Sequence, residues 1–473
     1  MDIEQLQALI AEHKVKNIDL KYVDLVGRWY HINFPARRLA YVMEKGIPFD
    51  GSSIPGMRNV ESGDLILMPD LTTAKLDGFS ENPTIQCICS ILDAETMQGY
   101  EKDPRSVAAR ACDYLQETGI ADEILFIPEF EFNLLNEAVY YNSKHKAGYR
   151  FSTKENKEAL PFNYEDPEAA ALTHRKGYHL DRPHDQHGHA RQEIADYIDE
   201  NICPIRYHHH EVGISSQQEI ETELCPFPKI ADDIMCIKDV IRQVAHKHGL
   251  AATLMPKPMY GEAGNGMHFH MLLKKAGRNI LYQRGGYADL SDDALHFIGG
   301  ILYHGRSLVA LTNPSTNSYK RLLPGFEAPV RRIFGLANRS AAIRIPLYAN
   351  SEDSKRFEFR TGDATCNPYL ATSALIMAGI DGIQNKIHPG DHGFGPYDED
   401  IFKWSDEKRE QLPAIPANLG EAIRELARDH AYLLQGGVFG KNLIEAFINE
   451  KLQEVRDVNE RPTPYEMNLY FSL

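Results

Sequence analysis

Alternation of polar and apolar residues marks this chain more than any other pattern. Four short segments place charged or imidazole side chains at positions i and i+2 with Phe or Ile between them. They are Glu129/Glu131, Glu219/Glu221, His268/His270 and Glu358/Arg360. In a β-strand, i and i+2 share a face and i+1 points to the other. Each segment therefore predicts a strand with an apolar side in a core and a charged side toward a common space.

The rest of the pattern supplies the frame. Residues 3–14 read as a helix with Ile3, Leu6 and Ile10 on one face. Ile18, Leu20 and Tyr22 alternate, Gly27 marks a turn, and Trp29 to Phe34 returns, which predicts a hairpin. More short strands follow to about Asp93. Asp103-Pro104 is a helix start, with Val107, Ala111 and Leu115 as the apolar stripe and Gly119 as the stop. Further helices are predicted over about 232–248 (Ile237, Ile241, Val244 and His248 inward), from Asn367-Pro368 onward (Leu370, Ala374, Met377), and along Ile423, Leu426, His430 and Leu434 up to Gly436-Gly437. The stretch from about 140 to 190 is polar and without period, and reads as a long surface excursion. The fold class is α+β, with a small N-terminal domain over 1–103 and a larger domain over 104–473.

Composition narrows the function. The 473 residues are 43% hydrophobic and 25% charged, the profile of a soluble globular protein of more than one domain. A formal net charge of −16 argues against nucleic acid or an anionic membrane as a partner. There is no basic, apolar leader and no run approaching the roughly 20 apolar residues of a spanning helix. The seven cysteines are scattered; Cys87 and Cys89 sit in an alternating strand at a spacing wrong for a CxxC site, and read as buried thiols in a reducing, cytoplasmic setting.

Carboxylates lined up beside carboxylates repel unless a cation lies between them. Glu129, Glu131, Glu211, Glu219 and Glu358, with His268, offer hard oxygen ligands and one imidazole, a set that suits Mg²⁺ or Mn²⁺ better than Zn²⁺. Arg321, Arg339, Arg344, Arg356 and Arg360 cluster in the last third of the chain; guanidinium groups clamp phosphate or carboxylate bidentately. Metals plus arginines are the recurring equipment of phosphoryl transfer. No P-loop motif and no protein-kinase signature is present. Three turns carry polar tips: Phe49-Asp50-Gly51-Ser52-Ser53, Gly264-Asn265-Gly266, and Pro324-Gly325-Phe326-Glu327-Ala328-Pro329.

Taken together these motifs resemble the bacterial type I glutamine synthetases nearly end to end. The resemblance runs from Phe-Asp-Gly-Ser-Ser through Pro-Glu-Phe-Glu-Phe, His-His-His-Glu-Val, Met-Pro-Lys-Pro-Met, Gly-Asn-Gly-Met-His and Asn-Pro-Ser-Thr-Asn-Ser-Tyr-Lys-Arg-Leu to Asn-Arg-Ser-Ala-Ala-Ile-Arg-Ile-Pro. It implies a β-grasp N-terminal domain and a catalytic domain whose curved antiparallel sheet forms a funnel for two or three Mg²⁺ or Mn²⁺ ions. It implies a dodecamer of two stacked hexameric rings, with active sites between neighbouring subunits. One metal is implied on Glu131, Glu211 and Glu219, and a second on Glu129, His268 and Glu358. Glutamate is implied to contact Glu131, Asn265, Gly266, His268, Arg321 and Arg360. His270, Arg344 and Arg356 look like ATP contacts, and Arg339 and Arg344 like stabilisers of the transferring phosphoryl group. Asp50, with Ser53 and Tyr178, is implied to bind and deprotonate ammonium, and Glu327 to take a proton from the attacking nitrogen. The implied reaction joins ammonia to the γ-carboxylate of glutamate through γ-glutamyl phosphate.

The chain departs from the family at three places. Arg206 stands where a glutamate near ATP is usual, and Leu272 where a serine is usual. A regulatory tyrosine is matched by Tyr397, but its flanks, Gly395-Pro396 and Glu399-Asp400, differ. His208 to His210 read as strand residues beside Glu211; His184, His187 and His189 read as a loop cluster. The aromatic C-terminus, Tyr465 through Phe471, resembles the family's ring-to-ring tail. Two other readings remain open from the sequence: a relative that joins glutamate to an amine or polyamine, and a non-catalytic oligomer on the same fold.

Overall fold

The computed structural model describes residues 1–155, 176–213, 215–325 and 328–473. The expected N-terminal helix forms over Ile3–Glu12, capped by Asp2 and Gln5 in a capping box. Strands β1 (Asn17–Val23) and β2 (Trp29–Pro35) make the expected antiparallel hairpin. With β3 (Ile47–Asp50), β4 (Asp64–Pro69), β5 (Lys75–Leu76) and β6 (Thr84–Asp93) they build a sheet in the order β2-β1-β6-β4-β3, β5 lying beside β6. Only the β1–β6 pair is parallel, so a crossover carrying the helix Leu39–Lys45 joins the sheet's halves. Leu6, Leu20, Leu65, Leu67, Ile85 and Ile91 fill the core of this unit, with Cys87 and Cys89 buried in it.

The helix Pro104–Glu117 opens the larger part, its Asp103 cap accepting the N–H groups of Arg105 and Ser106. Then come β7 (Glu123–Leu135), a separate exposed hairpin of β8 (Glu137–Ser143) and β9 (Lys146–Ser152), β10 (Ile205–His210), β11 (Gln217–Thr222), β12 (Cys225–Pro226), β13 (Ala251–Thr253), β14 (Met267–Lys275), β15 (Arg278–Asn279), β16 (Phe334–Leu336), β17 (Ile343–Ile345) and β18 (Phe357–Phe359). Among the described residues, ten of these strands form one sheet in the order β10-β11-β7-β14-β18-β17-β16, with β12 and β13 on β7 and β15 on β14. Phe126, Phe130, Phe132, Phe269, Phe357 and Phe359 turn one face of it into a core shared with the helices Lys229–Lys247 and Pro368–Gln384. Every spacer of the four i, i+2 segments is in that core.

Several expected elements take a different form. The predicted 232–248 helix begins at Lys229, and His248 is its C-cap, bonded to Glu193 rather than packed inward. The 140–190 excursion contains the β8–β9 hairpin, and a helix, Gly188–Asn201, starts before it ends; part of it lies outside the described residues. The stripe from Ile423 to Leu434 is two helices, Leu419–Arg428 and Ala431–Leu434. The break falls at Asp429, whose carboxylate bonds His304 (2.9 Å) and Ser307 (2.9 Å) on a neighbouring helix. No helix among the described residues is long and apolar enough to cross a membrane.

His304 gives this junction a pH dependence. Its burial opposes the charged form, but bonds to Asp381 (3.0 Å) and Asp429 outweigh that and raise its pKa above the usual 6.5. A raised histidine contributes stability that is full below the unfolded value and is lost as pH rises through the folded one. His304→Gln is therefore expected to cost about 2 kcal/mol near pH 6 and progressively less above pH 7. Denaturant unfolding of both proteins across pH 6–9 checks this; a penalty independent of pH would refute it.

Candidate active site

Antiparallel register turns the alternating sequence into three rows of facing side chains. His209, Glu219 and Glu131 lie across β10, β11 and β7; Tyr207, Glu221, Glu129 and His268 across β10, β11, β7 and β14; His270, Glu358 and Arg344 across β14, β18 and β17. Directly opposed side chains in such pairs are in contact distance, and like charges there repel. The rows put carboxylate against carboxylate at Glu131/Glu219 and Glu129/Glu221, which no sequence without a cation partner would favour.

Two tight groups stand out. In one, His209 reaches Glu219 (3.3 Å) and Glu211 (3.6 Å). Burial, then Glu219 and Glu131, push the Glu211 carboxyl up to about 9, and burial followed by Glu129 and Glu131 pushes Glu219 well up. In the other, Glu129 accepts from His268 and His270, each at 2.8 Å, with Glu358 beside them. Burial works against ionisation of Glu129, but His270 and His268 hold its carboxyl well below the usual range. Burial likewise opposes Glu358, yet Arg360 and the histidines bring it down to about 2. Arg344 bonds the other oxygen of Glu358 at 2.7 Å. The Glu211 Oε2 atom is buried without a hydrogen-bond partner. Orphaned buried oxygens, mutual repulsion and an oxygen-plus-imidazole donor set fit hard divalent cations. Adding Mg²⁺ or Mn²⁺ to metal-depleted protein is expected to raise its melting temperature, by mass action worth about 2.7 kcal/mol at a hundredfold excess over Kd. An unchanged melting temperature would count against cation binding here.

One cavity collects most of the expected residues: Glu129, Glu131, Glu211, Glu219, His268, Glu358, Arg321, Arg339, Arg344, Arg360 and Tyr178 all line it. Arg321 is buried and bonds His268 (3.2 Å) and the Thr361 carbonyl (2.8 Å). The Gly266 N–H donates to Glu131 at 2.6 Å, and a Cβ there would come within 2.6 Å of Arg321 and His268 and displace both side chains. Asn265 sits behind, bonded to Asn133 and Gln217. His270 is fully buried against Glu129 and does not line the cavity, and Arg356 lies against the face of Tyr348. Leu272 follows His270 on the same face of β14 and is buried. Tyr397 is half-buried against Trp404.

Two expected members are elsewhere. Asp50 and Ser53 occupy an exposed turn of the N-terminal unit, where Asp50 accepts from Ser52 Oγ (2.7 Å) and Ser53 Oγ (3.0 Å); neither lines the cavity of its own chain. Glu327 lies outside the described residues.

Residues 101–470 match the family model described as glutamine synthetase, catalytic domain, and residues 14–94 the one described as glutamine synthetase, beta-Grasp domain. The chain belongs to the glutamine synthetase family. It is a ligase with a β-grasp N-terminal domain and a larger catalytic domain carrying the curled sheet. It is 42% identical over 467 residues to the glutamine synthetase of Azotobacter vinelandii, covering 98% of this chain and 99% of that one. To the Escherichia coli K12 enzyme it is 41% identical over 475 residues, the full length of both. The cryo-electron microscopy structure of Plasmodium falciparum glutamine synthetase superposes with a TM-score of 0.89 at 26% identity, covering 99% of each chain.

Against that family background, some site residues were not assigned from sequence. His209 shares the i, i+2 relation with Glu211, a signal masked by the run of three histidines. Its neighbour His210 turns away to Glu155 (3.0 Å). Glu221 is fully buried beside Glu129 and paired with the exposed Arg206, so the chain carries a half-buried ion pair at one of its departures from the family pattern. Tyr348 has the guanidinium groups of Arg206, Arg344 and Arg356 within 5.3–5.8 Å of its ring, within the range of cation–π attraction.

Proposed function

We propose that this enzyme makes glutamine from glutamate, ammonium and ATP through γ-glutamyl phosphate, with roles set by the three rows of the sheet. The observation that carries this reading is the gathering of Glu129, Glu131, Glu211, Glu219 and Glu358, two histidines and four arginines around one cavity. Glu131, Glu211 and Glu219 would hold one Mg²⁺ or Mn²⁺, and Glu129, His268 and Glu358 a second, with His209 and His270 adjoining them. Bound there, such ions supply charge neutralisation to the terminal phosphates of ATP.

The protein's own groups then do the rest. Arg321 and Arg360 clamp the carboxylates of glutamate, and the Gly266 backbone lets it approach closely. Arg339 and Arg344 face the phosphoryl group as it moves from ATP to the γ-carboxylate, offsetting charge on its equatorial oxygens. Arg356 and His270 support the nucleotide end. Asp50, with Ser53 and Tyr178, attracts ammonium and takes a proton from it, because the protonated form is not a nucleophile. Glu327 takes the next proton after attack, as phosphate leaves.

Asp50 and Ser53 lie off the cavity of their own chain, which supports an assembly in which the N-terminal domain of one subunit completes the site of the next. A dodecamer of two stacked rings accounts as well for Tyr465, Tyr470 and Phe471, which are 68%, 61% and 86% exposed in a single chain. Seven free cysteines, six of them buried, suit a cytoplasmic setting. Full-length identity of 41–42% to glutamine synthetases favours ammonia over an amine as the nitrogen donor. The decisive measurement is phosphate release with ATP, glutamate and ammonium, each omitted in turn. Turnover that needs an amine and ignores ammonium would overturn the reading.

A further inference from the structure

Away from the cavity, at the base of the hairpin that carries Glu211 and Glu219, two cysteines and an aspartate converge. Cys203 lies two residues before β10, and Cys225 opens β12, three residues after β11. The backbone closes this end of the hairpin through the Glu223 N–H to the Pro204 carbonyl at 2.8 Å. Asp233 comes from the second turn of the helix Lys229–Lys247. The two sulfurs and a carboxylate oxygen all lie within 4.8 Å of one another, and the residues are 4%, 5% and 5% exposed. Such spacing is close enough for a small inward shift to bring all three onto one ion, with metal–sulfur bonds near ~2.3 Å and metal–oxygen bonds near ~2.1 Å.

We propose that Cys203, Cys225 and Asp233 form a second kind of metal site, one for a thiophilic divalent ion such as Zn²⁺. Two thiolates and a carboxylate are a soft donor set, unlike the oxygen-rich cavity, and the two sites sort metals by softness. Lys229 places its ammonium on both oxygens of Asp233, at 2.7 and 2.6 Å. It acts as a tethered cation that neutralises the carboxylate until a metal displaces it; its side chain is 57% exposed, and its other bond, to the Ile202 carbonyl at 3.3 Å, lies at the surface. Asp233 and Lys229 also line a cavity of about 670 Å³ between the two domains, which gives an ion and the water completing its coordination a way in. Binding exchanges two thiol protons for the ion and releases them to solvent. The ion would pin β10, β12 and the helix Lys229–Lys247 together, fixing the base of the hairpin whose other end carries catalytic-site carboxylates.

Cobalt reports on this directly. Reduced, metal-depleted full-length enzyme, with excess Mg²⁺ present to fill oxygen-ligand sites, is titrated with Co²⁺. The expected result is a near-ultraviolet thiolate-to-cobalt charge-transfer band that saturates at one ion per chain and is bleached by equimolar Zn²⁺. Cys203→Ser and Cys225→Ser lose the band, whereas Cys87→Ser keeps it. Carboxylates and imidazoles give no such band, so failure of the catalytic reading would leave this result untouched. No band in the unmodified protein, or a band that survives in both serine variants, would overturn the proposal. A protein that forms a Cys203–Cys225 disulfide on peroxide treatment but shows no cobalt band when reduced would overturn it equally.

Discussion

Glu129→Ala is expected to lower kcat for glutamine formation by about a thousandfold. Glu129 is the hub of the middle row. It accepts from His268 and His270 at 2.8 Å each, and stands opposite Glu221 and His268 in the sheet. Removing it takes away a proposed metal ligand and leaves two buried imidazoles without their shared acceptor. Both effects act on the cavity floor, while the apolar neighbours Phe130 and Pro128 stay in place. Glu129→Gln separates the two: it keeps the shape and one acceptor but not the charge. If charge for the cation is what matters, the Gln variant is nearly as slow as the Ala variant, and raising Mn²⁺ recovers part of the loss in both. Steady-state rates over a range of metal concentrations decide it, with near-ultraviolet circular dichroism as the check on folding. A loss of less than tenfold in the Ala variant would remove Glu129 from the proposed metal site.

Mixing two inactive variants is expected to create activity. An Asp50→Ala chain keeps an intact cavity, and a Glu129→Ala chain keeps an intact Asp50 turn. If each site is built from the cavity of one subunit and the turn of its neighbour, random co-assembly gives both intact halves at one half times one half of the sites. The mixed oligomer should therefore recover about a quarter of wild-type activity, from parents that are each almost inactive. If every site were completed within one chain, no subunit in the mixture would be whole and activity would stay at background. The basis is the position of Asp50: exposed, held by Ser52 and Ser53, and absent from the wall of its own cavity. Co-expression of two differently tagged chains, with tandem purification of mixed oligomers, makes the comparison direct.

The sequence by itself determined the strands and their polarity. A period of two in Glu129/Glu131, Glu219/Glu221 and His268/His270, with Phe or Ile between, leaves no way to bury both faces except an apolar core on one side and a cation-binding space on the other. It likewise determined the helix starts at Asp103-Pro104 and Asn367-Pro368, because a capping side chain followed by proline is a local device. Only the tertiary structure decided which strands are neighbours. Register depends on contacts between residues far apart in sequence, and so the pairing of Glu131 with Glu219 and of Glu358 with Arg344 was beyond any local pattern. The same holds for the end of the helix at Arg428, where Asp429 is drawn to His304 from more than a hundred residues away. It holds too for Cys203, Cys225 and Asp233, whose convergence needs two strands and a helix to meet. Local chemistry fixes what each segment can be, and long-range packing fixes which charges must share a space.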